Sequence, residues 1–88
     1  MAKVWNVLTV AGVDPSGGAG VLADVKAISA QQAYACAVVT ALTAQNTQAV
    51  RAVHPVPSSF VRAQIDTLLA DVAIAAVKIG MLGMREVV

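Results

Sequence analysis

Gly12, Asp14, Ser16, Gly17, Gly18 and Gly20 crowd into one stretch, "GVDPSGGAG", directly after the apolar run Val7 to Ala11. Glycines let the backbone approach a ligand closely. Two chemistries suit such a loop: cradling a phosphate with backbone N–H groups, or holding the hydroxyl of a small substrate. A P-loop needs a lysine and then a serine or threonine straight after its last glycine. Val21 and Leu22 stand there instead, so that motif fails. Gly18, Gly20 and Ala23 do fit the GxGxxA spacing of a dinucleotide-binding turn. That fingerprint also wants an acid at the end of the next strand for the ribose, and no Asp or Glu occurs between Asp24 and Asp66. A tight turn with close helix packing accounts for Gly17, Gly18 and Gly20 as well as ligand binding does. It accounts less well for Asp14.

The elements that position this loop follow from periodicity. Val4 to Val10 is rich in β-branched residues and runs into the turn formers, as a buried parallel strand does. From Ala19 to about Gln31, Val21, Leu22, Val25, Ile28 and Ser29 recur at helical spacing, which predicts a first helix. "YACAVVTALT", Tyr34 to about Thr43, reads as a second strand, and strand, helix, strand at this length implies a parallel crossover. Ala49 to Val53 alternates weakly as an edge strand before "HPVPSS", where Pro55 and Pro57 exclude helix. Ser58 or Ser59 is expected to cap a second helix, Phe60 to about Asp71, with Val61, Ile65, Leu68 and Leu69 on its apolar face. Ala73 to Ile79 reads as a third core strand ending in "GMLG". The order is that of a doubly wound α/β fold, whose ligands bind beyond the carboxyl ends of the strands. Loops 12–18, 43–47 and 80–83 meet at that end.

Bulk properties narrow the function. The 88 residues are 58% hydrophobic and 12% charged, more core than exterior, and end at "MREVV" one turn into a further helix. We therefore expect the N-terminal part of a single larger domain, truncated at residue 88. A net charge of +1 with 3% aromatics supplies neither a basic stripe nor stacking platforms, which argues against nucleic acid. Asn6 and the lack of a cleavage pattern argue against a signal peptide, and no run is long enough to span a membrane. Cys36 is the single cysteine and reads as core, so a cytoplasmic protein without a disulfide or thiolate metal site is expected. His54, with no partner ligand at suitable spacing, reads as structural.

Three motifs in order, "AGVDPSGGAGVLADVKA", "TALTAQNT" and "VKIGMLG", make the stretch from Val7 to Met84 resemble the hydroxymethylpyrimidine/phosphomethylpyrimidine kinases of the ribokinase-like superfamily. The resemblance implies a three-layer ribokinase-like fold with a mainly parallel central sheet. It also implies phosphorylation of 4-amino-5-hydroxymethyl-2-methylpyrimidine and its monophosphate for thiamine synthesis, with ATP and Mg2+. In that family the ATP phosphates and the catalytic residue belong to a glycine-rich loop in the C-terminal half, expected beyond residue 88, whereas the N-terminal glycine loop borders the substrate. Gly12 is then a substrate-loop residue.

Asp14 or Asp24 could be the carboxylate that orients a hydroxymethyl proton. Asp14 also reads as a turn former before Pro15, and Asp24 also reads as an exposed residue near the positive end of the helix dipole, the commoner case. Gln45 stands where the family's pyrimidine-recognising glutamine does. Its amide offers a donor and an acceptor to a ring nitrogen and an exocyclic amine, the alternative being a loop residue bonded only to water. Thr43 lines the same strand end. Met81 suits the face of a heteroaromatic ring, though core methionine is the commoner case.

Val13 replaces a hydroxyl residue usual in the family. Gln31 and Gln32 replace an apolar residue and a glycine at the end of the first helix, and Ala35 and Ala49 replace glycines. Alternatives are a pyridoxal-type kinase, a nucleotide or dinucleotide binder, and a non-catalytic binding or structural remnant. Homo-oligomerisation stays open. The 88 residues alone should show negligible kinase turnover.

Overall fold

A computed structural model of the chain describes residues 3–80. Along the chain run β1 (Asn6–Val13), α1 (Gly20–Ala30), β2 (Tyr34–Gln45), β3 (Val50–Pro55), α2 (Ser58–Leu69) and β4 (Ala76–Ile79). The four strands form one sheet in the order β3-β2-β1-β4. β1 lies parallel to both β2 and β4, and β3 pairs antiparallel on the outer side of β2.

Strand alternation sorts the side chains between the two faces. Leu8 and Val10 of β1 and Val38 of β2 join Val61 of α2 in the buried cluster, with Cys36, Ile65, Leu68 and Ile74 packed against it. Thr9, one residue out of phase, is fully buried on the other face, where its hydroxyl reaches Asp24 of α1. The helices therefore cover opposite faces, which makes the sheet doubly wound.

Several boundaries differ from the sequence reading, because neighbours rather than local composition set them. β1 runs on to Val13, pairing Val13 with Leu42 across an irregularity after Ala11, so Gly12 sits in a strand instead of a loop. β2 runs on to Gln45 because β3 pairs with it as far as Gln45 and Val50. Asn46 closes that hairpin, its Oδ1 accepting from the N–H groups of Gln48 and Ala49. The expected third core strand begins only at Ala76, and all four of its residues are exposed. Ala73 and Ala75 are tied to Asn6 ahead of it.

Leu22 and Leu69, expected on apolar helix faces, are exposed, as is Ser29. No side chain caps α2. Pro57 takes the N-cap place, with Ser58 and Ser59 in the first turn. Its carbonyl accepts from the N–H groups of Phe60 and Val61, so the expected serine cap is displaced by one residue. A proline cannot donate and arrives with φ already fixed, which suits it to the lead-in of a helix.

Candidate functional site at the carboxyl ends of the strands

The glycine loop between β1 and α1 folds around its own carboxylate. Asp14 is buried, and its Oδ1 accepts from the Ser16 hydroxyl at 2.6 Å and from the Ser16 N–H at 2.9 Å. Gly17 N–H donates to the Asp14 carbonyl at 3.0 Å. The Ser16 hydroxyl foremost, and then the N–H groups of Ser16, Ala19 and Gly18, hold the Asp14 carboxyl below its ordinary value against the opposing effect of desolvation. These are the amides a phosphate would need, and an internal anion has them. The loop returns at Gly20, whose φ of 63° and bridge to Val13 leave no room for a side chain: a Cβ there would overlap the Gly12 carbonyl oxygen.

Beside the loop lies a cavity of about 350 Å³ on the α1 face of the sheet. Gly12, Asp14, Thr43, Gln45, Lys78 and Gly80 line it, together with Ala and Val side chains of the strands. The Thr43 hydroxyl lies 2.7 Å from the Val13 carbonyl and 3.1 Å from Gln45 Oε1. It carries one proton, which the shorter contact to Val13 takes, so Thr43 ties the end of β2 to β1 and leaves the Gln45 amide for a ligand. Val50 and Val53 of β3 add apolar wall next to Gln45.

Asp24 is tied to side chains of two strands. Its side chain is 13% exposed, with Oδ2 accepting from the Thr9 hydroxyl at 2.6 Å and Oδ1 from Lys78 Nζ at 2.7 Å. Those two partners, Lys78 the stronger and then Thr9, hold its carboxyl below the ordinary value, with desolvation opposing them. Asp24 is therefore no exposed dipole residue. It stands behind the cavity lining and meets it through Lys78.

The structure thus brings Gly12, Asp14, Thr43 and Gln45 together around one cavity and places Asp24 one contact away. Met81 lies outside the described residues. Lys78 was missed, although a lysine inside the otherwise apolar "AIAAVKIG" was a visible signal. Thr9 was missed too, because a threonine in a β-branched strand carries no mark of its partner. Among the described residues no group of three metal-ligating side chains occurs, and no helix is long and apolar enough to cross a membrane.

The chain is similar to known proteins over nearly its whole length. The chain is 53% identical to hydroxymethylpyrimidine/phosphomethylpyrimidine kinase of Escherichia coli strain K12 over 98% of its own length and 32% of that protein. It superimposes on the crystal structure of phosphomethylpyrimidine kinase from Clostridium difficile 630 with a TM-score of 0.90 and 45% identity, covering 97% of this chain and 36% of that one. Pyridoxal kinase from Staphylococcus aureus, in complex with AMP-PCP and pyridoxal, follows at a TM-score of 0.85 and 33% identity, over 98% of this chain and 32% of its own. The chain spans about a third of the length of these relatives. Its α/β fold is that of the ribokinase-like kinases. The profile of the phosphomethylpyrimidine kinase family matches residues 14–88, and the chain belongs to that family.

Proposed function

We propose that this chain supplies the alcohol pocket of a kinase that transfers the γ-phosphoryl group of Mg·ATP to 4-amino-5-hydroxymethyl-2-methylpyrimidine, and then to its monophosphate, in thiamine synthesis. One observation carries the reading: Gln45, Thr43 and Gly12 meet around a cavity large enough for one small heteroaromatic ring. The Gln45 amide pairs with the ring nitrogen and exocyclic amine, a two-point contact that fixes which way the hydroxymethyl group points. Gly12 lets the β1 backbone come close on one side. Family membership supports the reaction type.

The residues described do not fit ATP or Mg2+. The glycine-loop amides are taken by Asp14, and no metal-ligating cluster is formed among the described residues. We assign both groups, and the catalytic residue, to parts of the relatives' fold outside these 88 residues, so that the stretch forms the N-terminal part of one domain. What this chain does toward transfer is to bind and orient the acceptor.

The likeness to a pyridoxal kinase keeps a pyridoxal-type alcohol as the second reading. Isothermal titration of the aminopyrimidine alcohol against the wild type and Gln45→Leu separates the two. Loss of about tenfold or more in affinity for the aminopyrimidine, with pyridoxal the weaker competitor, is the expected result. Equal binding by wild type and variant, or pyridoxal outcompeting the aminopyrimidine, would overturn the pyrimidine reading.

A further inference from the structure

We propose that Lys78 is the specificity residue by which this pocket accepts a phosphomonoester, with Asp24 and Thr9 as the residues that position it. The proposal rests on the reading of the cavity as the acceptor site. Lys78 is the one basic side chain among the described residues that line the cavity, and its side chain is 55% exposed, so a ligand can reach it. Lys26, the other cation of this region, lies over Gly17 and is not part of the lining.

The ammonium is held in place from below. Lys78 and Thr9 are paired across β4 and β1, so their side chains leave the sheet on the same face, side by side. Asp24 of α1 accepts from both, one oxygen each. Thr9 is fully buried, so its bond fixes the carboxylate, and the carboxylate in turn fixes the ammonium. A lysine ammonium has three protons. One goes to Asp24, and two remain for an anion.

Order across the sheet sets where a substrate meets this cation. Gln45 is on β2 and Lys78 on β4, with β1 and Gly12 between them. A substrate anchored on Gln45 therefore shares its pocket with the Lys78 ammonium, which approaches from the other side of β1. A neutral hydroxymethyl group gains little from an ammonium there, whereas an ester phosphate gains a charge-assisted hydrogen bond. Asp14 also lines the cavity, its Oδ1 held by the Ser16 N–H and hydroxyl, so Lys78 is the cation that offsets the charge a phosphate brings there.

Binding is read first on the chain itself, by NMR titration with the aminopyrimidine alcohol and with its monophosphate. Lys78→Met should weaken the monophosphate by about tenfold or more beyond any effect on the alcohol, Lys78→Arg should keep most of the preference, and Lys26→Met should leave both affinities as they are. The same variants in a chimera, with this chain replacing the matching third of the E. coli kinase, should show the effect in KM for the monophosphate more than in kcat. An equal loss for both substrates, or a loss of thermal stability alone, overturns the proposal and leaves Lys78 a structural partner of Asp24. If the wild type binds phenyl phosphate through Lys78 but neither pyrimidine, the Lys78 site stands and the acceptor reading falls. If it binds the alcohol and Lys78→Met changes nothing, the reverse holds.

Discussion

The side-chain amide of Gln64 on α2 clamps the backbone of Val39 on β2: its Oε1 accepts from the Val39 N–H at 3.0 Å, and its Nε2 donates to the Val39 carbonyl at 2.9 Å. β3 pairs with β2 only from Ala41 onward, so Val39 stands just before that ladder begins. One glutamine gives this residue the donor and acceptor a neighbouring strand would give, and ties α2 to the sheet. Gln64→Leu keeps the volume and leaves two part-buried backbone groups without partners. The expected loss is about 2 kcal/mol, read as a lower urea midpoint with unchanged slope. A midpoint within error of wild type would show that water replaces the amide at no cost.

Helix α1 ends with a glutamine where the geometry calls for glycine. Gln32 has φ 63°, and around it Ala33 N–H bonds to the Ile28 carbonyl at 3.2 Å and Gln32 N–H to the Ser29 carbonyl at 2.9 Å. That pair of bonds is the Schellman arrangement, with Gln32 at the left-handed position. Gln32→Gly removes about 1 kcal/mol of backbone strain and gives part of it back as added freedom of the unfolded chain. The variant should gain about 0.5 kcal/mol, seen as a Tm rise of a few degrees. A lower Tm would mean that the Gln32 side chain makes a compensating contact.

Gly20 and Gly18 should respond differently to an added methyl group. At Gly20 a methyl group would strike the Gly12 carbonyl oxygen, and φ is positive there as well. Gly20→Ala should cost about 3 kcal/mol or more and distort the cavity wall. At Gly18 a methyl group would stand 3.6 Å from Asp14 Oδ2, an ordinary contact. Gly18→Ala should leave both the Tm and aminopyrimidine binding near wild type. A dinucleotide turn would need both glycines, so a collapse of NAD affinity in Gly18→Ala, from a measurable wild-type value, would revive that alternative.

Acid should unfold this chain through Asp14 and Asp24. Both titrate below the ordinary aspartate value of 3.8 in the folded state. Between the folded and unfolded values the unfolded chain binds more protons, so stability rises with pH across that window. The contribution is present in full above the unfolded value and is lost as pH falls through the folded ones. Urea midpoints should therefore be level near pH 6 and drop below about pH 4, with a shallower drop in Asp24→Asn. A midpoint that stays level to about pH 3 would contradict the anchoring of either carboxylate.

The candidate site was legible where a residue's type already restricts what it can do. A glutamine at a strand end and glycines before a helix announce themselves, and Gln45, Thr43 and Gly12 do meet around the cavity. Asp24 was legible as a residue of interest but not in its circumstances. Helical spacing gives its face only relative to Val21, Val25 and Ile28, and says nothing of the strand residues opposite.

Lys78 and Gln64 carry the same lesson from the other side. Each takes its role from a partner 54 or 25 residues away, at Asp24 and Val39. Element order, the doubly wound class and the family could be read from the residues alone, because periodicity, turn formers and motif spacing need no distant contact to supply them. Folding settled the rest: β1 and β2 reach Val13 and Gln45, Asp14 takes the glycine loop's amides, and Lys78 and Gln45 come to line one cavity. Those outcomes come from strand pairing and from hydrogen bonds that buried polar groups must find once the sheet has formed.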